Sequence, residues 1–420
     1  MKRICIINIA GLSRDLLSRH SGLWLDSLTP AAGGAMTPTM PSVPASVQAS
    51  MTTGRQPGEH GVVAGGVFRR QSRKLSIAER SNTLLTKKRF WHSRHLPEKP
   101  KVALVFWSNP LAGGGDIVLG AASYACHCGK VSNQPAGLYD RLTDTCGQFN
   151  CASVSGPTAS WKASQWIAES ATNIWQGDQP DLMWVNLPGV NYELIRGGVA
   201  DNKAAAAEAL SDVDKWANAL SDAVCAQGGQ VIVVSDGGYT DVNQAVCPNI
   251  ALRDAGMLCV KETDDGLEVD IKASDAVVLV DHQVAHLYCD EDLADKASAV
   301  LASLDGVENV LPRSEVFAPG LGHDRAGERI IIAKPCAWMA PRWYSADEKL
   351  TPQAAQSPLG YDPCELISDQ ADETSVRASR GLIDGSPETS CFLGATFELP
   401  APQEMCVTDL PDVLKKVMFE

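Results

Sequence analysis

Ser46 lies in the stretch PSVPASVQASMTTGRQPGEHG, residues 41 to 61, where a proline opens a helical segment and a hydroxyl follows two positions later. Backbone N–H groups and the dipole at a helix start attract a phosphate and lower the pKa of a hydroxyl held there, so nucleophilic attack on phosphorus is the chemistry this spacing allows. Asp236 closes the apolar run VIVVSD and could hold a cation at a strand end. Asp281, His282 and His286 form a second group with metal-ligand types, and in a strand His282 and His286 would share a face. Cys126, His127 and Cys128 form the one tight Cys/His cluster, with no second ligand pair at zinc-finger spacing.

Each has a plainer reading. Pro44 suits the first position of a helix, Ser46 lines its first turn and Gly54 ends it. An Asp before two glycines is an ordinary turn residue. The Asp281, His282 and His286 group fits core packing, and the Cys126–Cys128 cluster fits a loop.

The whole chain limits the options further. Its 420 residues carry a formal net charge of −14, which repels a polyanion over most of the surface and argues against nucleic acid. The basic run from Arg69 to Arg94 reads as a solvated loop and helix face. Many of the thirteen cysteines sit inside apolar runs and behave as small core hydrophobes, which suits a reducing compartment, with the cytoplasm as the default. The run Ile4 to Ala10 is too short for a signal segment, and no eighteen apolar residues run together, so no membrane association is expected.

Positioning these side chains requires a sheet. Short Val- and Ile-rich runs at 4–9, 102–107, 182–187 and 231–236 alternate with amphipathic stretches, the pattern of a parallel sheet covered by helices on both faces. Residues 201 to 226 carry apolar positions at helical spacing from Ala205 through Leu210, Val213, Trp216 and Leu220. In such doubly wound α/β folds the ligand crevice lies outside the carboxyl ends of the strands. From about 270 the runs at 276–280, 285–289, 306–311 and 328–333, with a helix over 291–304, predict a small inserted α/β cap. The expected division is a core over 1–268, the cap over 269–334, and a return to the core over 335–420.

Seven segments in order, IINIAGLSRDLL, PSVPASVQASMTTGRQPGEHGV, NLPGVNYELIRGG, VVSDGG with NIALRDAGML, DHQVAHLY, GLGHDRAGERIIIA and GYDPCEL, resemble the alkaline-phosphatase superfamily in its type I phosphodiesterase/nucleotide pyrophosphatase branch. The resemblance spans nearly the whole chain. It implies a hydrolase whose two divalent cations, zinc or manganese, clamp the attacking and leaving oxygens around a Thr or Ser nucleophile. The residues carried over depart from that pattern. The nucleophile position falls on Pro44, which has no hydroxyl. An Asp often found at the end of the first strand corresponds to Ala10, although some relatives keep an Asn where this chain has Asn8. A ligand Asp becomes Asn191, and the His four residues on becomes Ile195. An Asp-His pair becomes Asp236 and Gly237, a late His-Gly pair becomes Arg380 and Gly381, and an upstream His corresponds to Gln356. His60 matches a position the family uses structurally.

Replacing Asp by Asn removes a negative charge, and replacing His by Arg puts a permanent cation where a dication would sit. The expectation is a catalytically degenerate member with no cofactor, binding a phosphorylated small molecule through Arg196 and Arg380, or a partner protein. The alternative is an active metal-dependent phosphodiesterase or phosphatase whose site is rebuilt from Asn8, Ser46, Asn191 and Asp236, with two divalent cations.

Overall fold

The computed structural model describes residues 1–77, 79–121, 131–156, 158–200, 203–315, 322–355, 359–362 and 375–420. Its main sheet has eight strands: β1 (Ile4–Ile9), β2 (Thr29–Met36), β3 (Val102–Val105), β4 (Ile117–Ala121), β5 (Val131–Gln134), β6 (Leu182–Leu187), β7 (Gln230–Val234) and, late in the chain, β12 (Cys391–Ala395). They lie in the order β2-β12-β7-β1-β6-β3-β4-β5. The five from β7 to β4 are mutually parallel, while β12 against β7 and β5 against β4 run antiparallel. This is the mixed, mostly parallel sheet that the unbroken apolar runs imply.

Every side chain of β1 is buried. Cys5, Ile7 and Ile9 face one core, and Ile4 and Ile6 face the other, so period-2 alternation serves two hydrophobic layers. Helices α3 (Lys162–Asp178) and α5 (Lys203–Cys225) cover the first layer, where Leu210, Val213, Ala217 and Leu220 are buried. Helix α1 (Pro44–Thr53) and the C-terminal helix α8 (Leu410–Phe419) cover the second. The predicted strand 102–107 stops at Val105, where Phe106 takes a φ of +56° and turns the chain at the strand's carboxyl end. Strands β2, β4, β5 and β12 were not anticipated.

A second sheet of four strands, β8 (Ala276–Asp281), β9 (Val284–Cys289), β10 (Val307–Pro312) and β11 (Arg329–Ala333), is antiparallel in the order β8-β9-β11-β10. Helix α7 (Glu291–Ala302) packs on it, and so does α6 (Pro248–Asp254). Met257 and Trp343, from outside residues 269–334, join the same hydrophobic cluster. Two arginines of the basic run anchor this region to the rest of the fold: Arg70 donates to the carbonyls of Asp324 and Ala326 and pairs with Glu328, and Arg73 donates to the carbonyl of Ile271.

Candidate functional site

The site forms at the carboxyl ends of β1, β6 and β7, under the start of α1. Pro44 occupies the first helical position after an extended Val43 that offers no side-chain cap, and Gly54 closes the helix in the left-handed region at φ +67°. The helix therefore begins where the sequence places it, with Ser46 on its first turn. The Ser46 hydroxyl is fully buried and, like that of Ser42, has no hydrogen-bond partner. Two residues on, Gln48 spans two elements: its Oε1 accepts from the Ser108 N–H at 2.9 Å, and its Nε2 donates to Asp236 Oδ2 at 2.8 Å.

Asp236, two residues past β7, is the centre of the site and is fully buried. Oδ1 accepts from Arg380 Nη2 at 3.0 Å; Oδ2 accepts from Gln48 Nε2 and, at 3.2 Å, from Asn8 Nδ2. Asn8 Nδ2 also donates to Asn186 Oδ1 at 2.6 Å, across two strands whose register sets the two asparagines side by side. Arg380 is buried with its carboxylate partner; its Nε donates to the Ser42 carbonyl at 3.1 Å, Nη2 also donates to the Asp236 carbonyl, and the guanidinium lies 5.2 Å from the Tyr239 ring centroid. Burial by itself lowers the guanidinium's pKa, but the neighbouring Asp236 and Tyr239 outweigh it and hold Arg380 above its ordinary pKa.

Gly237 has a local reason to be glycine. Its φ is +105°, and a Cβ there would lie 2.4 Å from Ser42 Oγ and 3.2 Å from Arg380 Nη2. A histidine at this position would collide with the groups that now surround Asp236.

Of the candidate residues, Asn8, Asp236 and Arg380 come together, with Ser46 on the helix above them. Asn191, at the start of α4 (Asn191–Gly197), accepts from the Tyr239 hydroxyl, and so joins the site through that ring's contact with Arg380. Arg196 stands apart from Arg380: it pairs with Glu193 at 2.6 Å and donates to the Ala159 carbonyl. His60 is a buried structural neighbour. Its Nδ1 accepts from Val62 N–H and its Nε2 faces Ser50 Oγ at 2.9 Å, which defines a neutral ring; burial, with Arg89 nearby, pushes its pKa down to about 3. His286 is likewise a core residue, bonded to the Val63 carbonyl and the Gly327 N–H, and burial takes it to about 4. Asp281 accepts from Gly65 N–H, while the His282 ring stacks 4.2 Å from Tyr361, so the three do not converge on one point. Gln356 and Cys126, His127 and Cys128 lie outside the described residues.

Sequence reasoning missed Gln48, Asn186, Ser42 and Tyr239. Asn186 had a visible signal, a polar residue inside the run LMWVNL opposite another in ICIINI.

A pair of dications does not fit this donor set. One carboxylate is present, both its oxygens accept from protein donors, and its charge is balanced by a guanidinium. Among the described residues no group of three or more His, Cys, Asp or Glu converges as metal ligands would.

Residues 4–358 match the family model for type I phosphodiesterase / nucleotide pyrophosphatase, and the chain belongs to that family. Among solved structures it resembles murine ectonucleotide pyrophosphatase / phosphodiesterase 5 at 12% identity and a TM-score of 0.65, covering 99% of this chain and 95% of that one. An inactive form of that murine protein in complex with AMP matches at 12% identity and a TM-score of 0.66, covering 100% and 95%. Phosphonoacetate hydrolase from Sinorhizobium meliloti 1021 in complex with phosphonoformate matches at 13% identity and a TM-score of 0.65, covering 99% and 96%. At these identities the likeness establishes the fold. Comparison with curated proteins returns no match.

Proposed function

We propose that this protein has left hydrolysis behind and uses the family's fold to bind a phosphorylated small molecule without a metal. The observation that carries the reading is the engaged Asp236: donors from Arg380, Gln48 and Asn8 occupy both oxygens of the carboxylate on which a cation would depend. Support for an anionic ligand comes from the uncapped start of α1, the unpartnered hydroxyls of Ser42 and Ser46, and the permanent charge of Arg380, which bonds the Ser42 carbonyl. The carboxylate of Asp236 neutralises Arg380 in the closed site, so a ligand would have to draw the guanidinium away from it. A cytoplasmic setting belongs to the same reading and is supported by free thiols at all ten described cysteines; no helix among the described residues is long and apolar enough to cross a membrane.

The test is hydrolysis of an aryl phosphodiester with and without added zinc or manganese, alongside a thermal-shift screen of nucleotides and sugar phosphates. No turnover is expected in either condition. A phosphorylated compound should raise the melting temperature of the native chain but not of Ser42→Ala. Metal-dependent turnover abolished in Ser46→Ala would establish the rebuilt active site instead, and a screen with no stabilisation would remove the small-molecule reading.

A further inference from the structure

A cavity of about 450 Å³ opens beside the start of α3, in a region the phosphate site does not use. Because α3 precedes the parallel strand β6, its first turn lies at the carboxyl-end side of the sheet, where ligands of open α/β folds bind. The aromatic wall is fixed to that edge: Phe106, immediately past β3, lies 5.0 Å from Phe149 and 6.4 Å from Trp166 between ring centroids, and Trp166 Nε1 donates to the Gly147 carbonyl.

Charge along the cavity has a direction. Lys162, exposed at the first residue of α3, contributes an ammonium at the positive end of the helix dipole. Glu169, two turns further on, contributes a carboxylate held by Gln165 Nε2 at 3.0 Å. Seven residues of helix set the Cα atoms of Lys162 and Glu169 about 10 Å apart along the axis. An extended peptide advances about 3.3–3.6 Å per residue, so three residues bridge that interval and one does not.

We infer that this cavity binds short zwitterionic peptides of about three residues, the terminal carboxylate toward Lys162 and the terminal ammonium toward Glu169. The aromatic wall and the neutral side chains between, including Asn150, meet the peptide body. This site does not depend on how the Asp236 cluster is read, and its test leaves that reading untouched.

Calorimetric titration of the full chain with triglycine tests it. Saturable binding in the millimolar range is expected, weakened about three- to fivefold by Lys162→Met and by Glu169→Gln, the worth of one exposed charge contact each. Amidating the carboxyl end should cost the native chain a similar factor and cost Lys162→Met nothing; acetylating the amino end should do the same with respect to Glu169→Gln. Both side chains reach the surface, so unchanged melting temperatures in the variants will show that the fold is intact. The inference is overturned if triglycine gives no saturable heat, if doubly blocked triglycine binds as well as the free peptide, or if neither substitution changes the affinity.

Discussion

The two ends of α1 are each held by a buried arginine, and the two arginines are handled differently. At the start, where the helix dipole is positive and repels a cation, Arg380 is kept charged by an ion pair with Asp236. At the end, Arg89 is 1% exposed and has only neutral acceptors: Thr52 Oγ1 at 2.7 Å, Asn82 Oδ1 at 3.0 Å, and the Ser108 and Asn109 carbonyls at 2.8 and 2.9 Å. Burial pulls Arg89 down to about 9, while Arg380 is held above its normal range. A carboxylate is present only where a cation sits against the helix's positive end. In this chain Asp236 therefore acts as the counter-ion of a built-in cation, which is the opposite of a vacant metal ligand.

Removing one partner at each end should separate the two cases. Asp236→Leu leaves a guanidinium buried without its counter-charge and should lower stability by about 3–5 kcal/mol, most of it recovered in the double variant Asp236→Leu/Arg380→Met. Arg89→Met strands only neutral acceptors and should lower it by about 2–3 kcal/mol. Urea midpoints at constant m-value measure both; equal losses, or no recovery in the double variant, would break the comparison. Gly237→Ala tests the packing around the pair. Its Cβ would press on Ser42 Oγ in a backbone conformation that disfavours a side chain, for a loss of about 2 kcal/mol in the same titration.

Asp281 sharpens the contrast from a third position. It is a buried carboxyl that accepts from the Gly65 N–H, and burial raises its pKa to about 6. The folded state thus binds the proton more tightly than the unfolded chain, where the group titrates near its ordinary value of about 3.9. Stability from this group is present in full below about pH 4 and is lost as pH rises through about 6. Asp281→Asn should flatten that slope, worth about 2 kcal/mol across the window, in melts followed from pH 4 to pH 7. An unchanged slope would show that Asp281 ionises without penalty.

The elements holding the site were legible because their signals are local and strong. Pro44 and Gly54 bracket α1 in the sequence as in the structure, and apolar runs mark β1, β3, β6 and β7. Strand β2, TPAAGGAM, was not legible: it is half exposed and rich in glycine and alanine, with little periodicity to read. In the site, that Asn191 and Gly237 bring no acidic or imidazole ligand and that Arg380 brings a cation could be read from residue types alone. That Arg380 lies on Asp236 could not, since 144 residues separate them and only the folded sheet sets them together. Gln48 was invisible for a related reason, because a glutamine on a helix usually faces water, and burial here depends on the Ser108 N–H that meets it.

Metal binding is the most direct test of the account. Zinc and manganese titrated calorimetrically into chelator-treated protein, with metal content of the untreated protein measured in parallel, should give no stoichiometric binding and an unchanged melting temperature. Two equivalents of tightly bound metal, lost together with phosphodiester turnover on chelation, would contradict the claim that a guanidinium has taken the cations' place.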